Sequence, residues 1–558
     1  MNTTTVAGYL LTRLNQAGVR TVFGVPGDYN LPLLDAVGAA KPTMAWAGTA
    51  TEQGAGYAAD SYARLRGLGA MITTFGVGEL SAINAIAGAY AESVPVVHIV
   101  GTPALRARQG YLTLHHNLPD NDFGHFARMA AEVTAAQASL RPETAPAEID
   151  RVLGVALATS RPVYLAIPAD VATMTVPAPA GPLAAAGQGA APGMVAGFAA
   201  HASRVLRTAR SASLLIGHLA ARFGVTAELG ELAAAGQLPV AVLSPAKGDF
   251  PEASPLFAGL YAGVASAKRA RIAVEEPDVL ITAGVALADL VTPGAELPPD
   301  DRRIDLAPGR ACVAGVAYPG LTLRQSVAAL LTAVRATRPD RAALHAAPEP
   351  VTVPAPHPAD RLTQPLLWSA VQEFLRPGDL VIADQGTAFY GATGLTLPDG
   401  AHLMSQPMWA SLGWALPATL GATFAAWDRR VVLIIGDGAM QQAAAELGTL
   451  LAQGLAPVII VLGNDGYAIE RVIHSPSADY HHIPAWDWTA LPASLAPRAA
   501  SMAIPAASLR QLAAALRAAG LRAGRPVLIE AVLGPDDAPP LLQDLARVLA
   551  ETNQYSRP

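Results

Sequence analysis

Cysteine is almost absent from this chain: one thiol, Cys312, stands among 558 residues. No disulfide can close within the chain, and no cysteine cluster can hold a metal. Such usage suits a reducing cytoplasm. Charge is sparse as well. Charged residues make up 15% of the chain and the formal net charge is −6, with Lys and Arg scattered along it. There is no basic face to meet nucleic acid or an anionic membrane surface. The stretch from Met1 to Gly18 lacks a basic start followed by an apolar run, so a signal peptide is not expected. The longest apolar region, Met408 to Trp427, is interrupted by Ser411, Gly413, Pro417, Thr419 and Gly421. It reads as a buried helix and not as a membrane span.

Apolar residues, by contrast, make up 52% of the sequence, enough to fill several cores. At roughly 150 residues per domain the length allows about three or four. Short β-branched runs bounded by Gly and Pro recur, among them "TVFGVPGD", "PVVHIVGTP", "DVLITAGVA", "RRVVLIIGDG" and "PVIIVLGND". Ala/Leu-rich segments long enough for crossover helices lie between them. That alternation predicts parallel sheets covered on both faces. Two stretches, Val176 to Gly193 and Arg338 to Pro358, are rich in Pro, Ala and Gly with no apolar period, and read as linkers. The expectation is an α/β protein of three domains with doubly wound parallel sheets: 1–178, 192–338 and 358–558.

Ligands of such sheets bind at the carboxyl ends of strands. The run "VVLIIGDG" ends in Gly436-Asp437-Gly438, and 27 positions after Asp437 the run "PVIIVLGND" delivers Asn464. A helix over about Gln441 to Gln453 fills the interval, so both side chains emerge at one sheet edge. An Asp and an amide oxygen, completed by carbonyl and phosphate oxygens, suit octahedral Mg²⁺ at ~2.1 Å. A diphosphate can rest on the helix N-terminus that follows. No G-x-G-x-x-G follows the first strand, which argues against a dinucleotide dehydrogenase.

Gly436-Asp437-Gly438, then 24 residues, then Gly463-Asn464-Asp465-Gly466-Tyr467 resembles the motif of thiamine diphosphate enzymes, which usually ends in Asn-Asn; here the first of those is Gly463. "FGVPGDYNLPLLD", "GYAADSYARLRG", "ITTFGVGELSAINAIAGAYAE" and "LHHNLPDNDF" resemble the pyruvate and indolepyruvate decarboxylase family in order and spacing, across nearly the whole chain. The resemblance implies the family's three domains (PYR, middle and PP), the cofactor thiamine diphosphate with Mg²⁺, and Asp437, Asn464 and the Gly466 carbonyl as metal ligands. It makes Glu52 the acid that serves the cofactor's pyrimidine nitrogen, in "TATEQGAGYAAD" where relatives read Asn-Glu-Leu-Asn. Leu412 becomes the apolar support under the cofactor. Ala410, where relatives often have Gly, offers a carbonyl, and Gly386, Thr387, Gly438, Ala439 and Ile469 line the same cofactor. Asp28, His115, His116 and Glu470 are implied as catalytic proton-handling groups. A second histidine pair, His481-His482, follows a polar loop and is expected to be solvated.

The reaction implied is non-oxidative decarboxylation of a small-molecule 2-oxo acid to an aldehyde and CO₂. Gln385 stands where pyruvate-preferring members often have Thr, and Phe389, Ile469, Ile473, Leu541 and Leu545 are expected around the substrate. An aromatic acid (indolepyruvate or phenylpyruvate) or a branched-chain acid is the first reading. Pyruvate, or a carboligase of the acetolactate synthase type, is the alternative. Family organisation further implies a cytoplasmic homodimer with shared active sites, assembled as a homotetramer, with neither nucleic acid nor membrane as partner.

Overall fold

The computed structural model describes residues 2–183, 189–337, 361–521 and 524–552. Three sheets succeed one another along the chain. The first runs in the order Ala45–Gly48, Thr21–Gly24, Gly69–Thr74, Val96–Thr102, Val163–Pro168 and Gln137–Ser139, every pairing parallel. The third runs His402–Met404, Leu380–Ala383, Val431–Gly436, Val458–Gly463, Val527–Val532 and Met502–Ala506, again parallel throughout. Their central strands are mostly apolar and buried along nearly their whole length, as strands covered by helices on both faces must be; the buried Thr73 hydroxyl and His98 Nε2 meet each other at 2.9 Å.

The middle sheet qualifies the expected parallel design. Strands Phe257–Tyr261, Val240–Leu243, Ala212–Ile216, Val279–Ala283 and Arg303–Ala307 are parallel, but Arg310–Val313 and Val316–Pro319 extend the sheet as antiparallel hairpins. The cause is local. Pro308-Gly309 and Ala314-Gly315 are connections too short for a crossover helix, and Ala314 and Gly315 both take positive φ (47° and 79°), the turn that joins antiparallel neighbours.

The linker expected over Val176 to Gly193 is shorter than its composition suggested. Thr175–Pro177 pairs antiparallel with Thr3–Thr5, and a helix starts at Pro192. The second expected linker, Arg338 to Pro358, lies outside the described residues. Within the long apolar region, residues Ala415–Ala425 form the helix. It packs on the helix Glu52–Arg66 of the first domain at very short range. A Cβ on Gly421 would stand 1.9 Å from the Ala58 carbonyl oxygen, and Ser61 Oγ donates to the Ala418 carbonyl at 2.7 Å. This small-residue seam sets Glu52 close to the loop that precedes the second helix. Among the described residues no helix is long and apolar enough to cross a membrane.

Candidate active site

The strands Val431–Gly436 and Val458–Gly463 pair in parallel with Gly436 opposite Leu462, so Asp437 and Asn464 leave the sheet side by side. The helix after the first strand begins at Asp437 itself, not near Gln441, and breaks between Ala443 and Ala445. The reason is that the carboxylate takes part in its own first turn. Asp437 Oδ1 accepts from Gly438 N at 2.8 Å, and Oδ2 accepts from Asn464 N (3.0 Å) and Gly466 N (3.3 Å). Burial pushes the Asp437 carboxyl up to about 6.

The Asn464 amide oxygen lies 3.1 Å from Asp437 Oδ1 and 3.1 Å from the Gly466 carbonyl oxygen, with no donor among them. With the amide turned over, its NH₂ donates to both; turned the other way, its oxygen joins the Asp437 carboxylate and the Gly466 carbonyl in the hard, oxygen-only donor set that Mg²⁺ takes. The residues therefore fit the ion that the resemblance implies. The loop is held from behind by Arg471, which is 3% exposed and donates to the carbonyls of Asn464 (3.0 Å) and Asp465. Gly466, at φ +119°, admits no side chain: a Cβ would meet the His481 carbonyl oxygen at 2.0 Å.

His481 corrects an expectation. It is 2% exposed, not solvated, and its Nε2 sits 2.9 Å from the Ser475 carbonyl oxygen while its own carbonyl accepts from Tyr467 N at 2.9 Å. It braces the loop that carries Asn464 and Gly466. His482 alone is exposed, beside Asp465 at 3.1 Å.

A small cavity of about 30 Å³ opens at this edge, lined by Gln385, Gly386, Thr387, Leu412, Gly436, Gly438, Ala439, Asn464, Gly466 and Ile469 among others. Phe389 and Leu545 stand behind it in one core cluster with Ile469, and Ile473 and Leu541 pack against that cluster. Leu412 also lines a second cavity of about 300 Å³, shared with Glu52, Gln53, Tyr57, Gln442 and Glu446. Larger clefts of about 610 and 680 Å³ hold none of the expected site residues.

Leu412 is fixed by its neighbours. Asp384, fully enclosed, accepts from Gly413 N at 3.2 Å and Ala415 N at 2.8 Å, and burial pushes its carboxyl up to about 7. Ser411 Oγ meets Tyr57 OH at 2.7 Å. Ala410 sits at φ +58°, a left-handed conformation that favours the Gly of its relatives.

Glu52 begins the helix Glu52–Arg66. The loop before it is clamped by a residue that the sequence reading missed, Glu446. This carboxylate, 2% exposed, accepts from Ala50 N (3.1 Å), Thr51 N (3.0 Å) and Thr51 Oγ1 (3.2 Å). It occupies the room a side chain would need at Gly54, where a Cβ would lie 2.1 Å from Glu446 Oε1.

Asp28, His115 and His116 are brought together at a partly exposed corner of the first domain. Asp28 Oδ2 is 2.9 Å from His115 Nε2. The Tyr29 ring stacks on His115 at 5.0 Å, with its hydroxyl 3.3 Å from Nδ1. His116 follows at φ +62°, its carbonyl against Gly76, and its buried Nδ1 has no hydrogen-bond partner among the described residues. Glu79 supports this corner by accepting from Gly76 N (2.8 Å) and Tyr164 OH (2.7 Å). Among the described residues no hydrogen bond or ion pair joins this group to Asp437 or Asn464. Glu470, exposed on the helix Ala468–Ile473, lines neither cavity.

The chain matches three family models in order: "Thiamine pyrophosphate enzyme, N-terminal TPP binding domain" over residues 4–126, the central domain over 199–334, and the C-terminal TPP binding domain over 386–531. It is 45% identical over 547 residues to a protein of Mycolicibacterium paratuberculosis named alpha-keto-acid decarboxylase, covering 97% of this chain and 96% of the relative. Proteins of the same name from Mycobacterium tuberculosis and Mycobacterium leprae are 44% and 42% identical. They cover 98% and 99% of this chain, and 97% and 96% of their own lengths.

Proposed function

The chain belongs to the thiamine diphosphate-dependent 2-oxo acid decarboxylases, and from that membership we propose that it converts an aromatic 2-oxo acid to the aldehyde and CO₂, with branched-chain acids next in line. The cofactor, when bound, would supply a nucleophilic carbon for the keto group and an electron sink for the pair left by CO₂. The observation that carries its Mg²⁺-anchored placement is the meeting of the Asp437 carboxylate, the Asn464 amide and the Gly466 carbonyl within 3.1 Å at one strand edge. These residues would hold the ion.

Glu52 would share a proton with the pyrimidine ring nitrogen, from a loop that Glu446 keeps in place. Asp28 and Tyr29 engage both ring nitrogens of His115, which fixes the ring. His116 Nδ1, without a partner among the described residues, is the atom with capacity to take or give a proton at the reacting centre. Such groups contribute ~10²–10⁴-fold each. Glu470 would face the substrate carboxylate.

The family resemblance supports a site in which Asp28, His115 and His116 are completed by a second copy of the chain. Exposed apolar residues flank them: Val77 is 51% exposed, Tyr111 74%, Leu112 52% and Leu118 47%. We place the assembly in the cytoplasm, as a dimer or a pair of dimers.

The deciding experiment measures aldehyde and CO₂ release from phenylpyruvate, indolepyruvate, 2-oxoisovalerate and pyruvate, with and without cofactor and Mg²⁺. Turnover is expected only with both, and fastest on an aromatic acid. Pyruvate as the fastest substrate would remove the aromatic reading, and full activity in chelator would remove the metal.

A further inference from the structure

The helix Val77–Ala91 opens on a turn that touches two of the expected site residues at once. Its N-cap, Gly76, takes φ +66° and lies directly against His116: a Cβ there would stand 2.0 Å from the His116 carbonyl oxygen and 3.3 Å from the His116 Cβ. Two positions on, a Cβ on Gly78 would stand 3.3 Å from Glu52 Oε1. The His116 backbone and the Glu52 carboxylate therefore rest on one short turn, each at a place where a side chain is missing. Two glycines so close together leave the backbone free to adopt conformations that other residues exclude. Something else must hold the turn.

Glu79 holds it from inside. This residue is 4% exposed; its Oε1 accepts from Gly76 N at 2.8 Å and its Oε2 accepts from Tyr164 OH at 2.7 Å. Tyr164 stands on the central strand Val163–Pro168, with its ring edge-on to His98 at 5.7 Å, so the two bonds tie the turn to the sheet. Burial pushes the Glu79 carboxyl up to about 7. The protonated acid can keep both partners, its O–H turned to the Tyr164 oxygen and its other oxygen still accepting from Gly76 N. The tie survives a change of charge. Among the described residues no hydrogen bond or ion pair joins Glu79 to Glu52 or His116, so its action on either passes through the turn.

On the decarboxylase reading above, which gives Glu52 and His116 their proton-handling roles, we infer that Glu79 is a positioning residue for both. Through Gly76 N it fixes the turn Gly76–Gly78, and the turn sets where the Glu52 carboxylate and the His116 backbone stand. A displacement of ~1 Å at a group that serves the reacting centre can cost about 10²-fold in rate. Where that group acts only in the transition state, the loss falls on kcat and not on KM.

The test compares Glu79→Gln with the double variant Glu79→Leu, Tyr164→Phe. Gln can offer its oxygen to Gly76 N and its NH₂ to the Tyr164 oxygen; the Leu and Phe pair removes both polar ends together and orphans no hydroxyl. In the cofactor-free protein, hydrogen–deuterium exchange at the Gly76 amide should be slow in the wild type and in Glu79→Gln, and faster by about tenfold or more in the double variant. In the holoenzyme with Mg²⁺, kcat on the fastest of the four acids named above should fall by about 10–10²-fold in the double variant with KM little changed, and stay within about threefold of the wild type in Glu79→Gln. Should the double variant not fold, Glu79→Asp, whose shorter arm withdraws the acceptor, takes its place with the same expectation. Fast Gly76 exchange in the wild type, wild-type kcat in the variant that lacks the acceptor, a loss confined to KM, or a fall in Glu79→Gln as deep as in the other variant overturns the role of Glu79 and leaves the decarboxylase reading standing. No turnover of any of the four acids by the wild type overturns both.

Discussion

Truncating Glu446 tests how the Glu52 loop is held. In Glu446→Ala the amides of Ala50 and Thr51 lose their acceptor. Bonds to a charged acceptor are worth about 1.5–3 kcal/mol each, and a buried orphan amide costs about 1–3 kcal/mol. Two terms pull the other way. The carboxyl's own pKa is raised by burial, so part of its gain is already lost to desolvation, and the adjoining 300 Å³ cavity lets water reach the freed amides. A local loss of about 2 kcal/mol is the balance of these. Hydrogen–deuterium exchange reads it directly: the Ala50 and Thr51 amides should exchange about thirtyfold faster, at 1.4 kcal/mol per tenfold. Affinity for the cofactor should fall with the order of Glu52. Gly54 supplies an internal control. Gly54→Ala drives a methyl group into Glu446 Oε1 and should damage the wild type. In the Glu446→Ala background the same change should be neutral or favourable, because Ala is the better helix residue by ~1 kcal/mol. Unchanged exchange at Ala50 and Thr51, or equal cost of Gly54→Ala in both backgrounds, refutes the clamp.

Stability should fall as pH rises. Glu79, Asp249 and Asp384 are each pushed up to about 7 by burial. Between their ordinary range near pH 4 and pH 7 the folded chain keeps these protons while the unfolded chain has shed them, so stability is lost as pH climbs through about 7. The effect is on the order of 1–3 kcal/mol per group; the thermal midpoint should be higher at pH 6 than at pH 8, and Glu79→Gln should shrink that difference. Ala410→Gly should relieve about 1–2 kcal/mol of left-handed strain, less about 0.5–1 kcal/mol for the freedom glycine adds to the unfolded chain. A rise in the denaturation midpoint is expected, and a fall would count against it. Asp384→Asn presents its NH₂ group to one of the amides of Gly413 and Ala415, which donate to separate oxygens, and should weaken cofactor binding at least tenfold, read by fluorescence titration; unchanged affinity would separate Asp384 from the placement of Leu412.

The central strands were legible because each is a short, mostly apolar run rich in β-branched residues and bounded by Gly or Pro. Edge strands were not. Gln137–Ser139, His402–Met404 and Ala45–Gly48 are short and mixed in character, and only their neighbours make them strands. At the site, Asp437 and Asn464 were readable because their spacing is local to one βαβ unit. Glu446 and Asp384 were not, since their partners come from elsewhere: Glu446 meets Ala50 across 396 positions. One signal was in view, the Gly at 54 where relatives carry Asn, and its meaning became visible only with the carboxylate that fills the space. His481 misled because a polar loop in sequence folds back over its ring.

On the proposed site, the place of Asp28 in the first domain and of Asp437 in the third has a genetic corollary. Chains carrying Asp28→Ala are damaged in one half of the centre and chains carrying Asp437→Ala in the other. Should the halves meet only across two copies, mixed pairs regain one wholly intact centre, and co-expression of the two dead alleles restores up to about a quarter of normal flux under random pairing. Should each copy complete its own centre, the mixture stays dead.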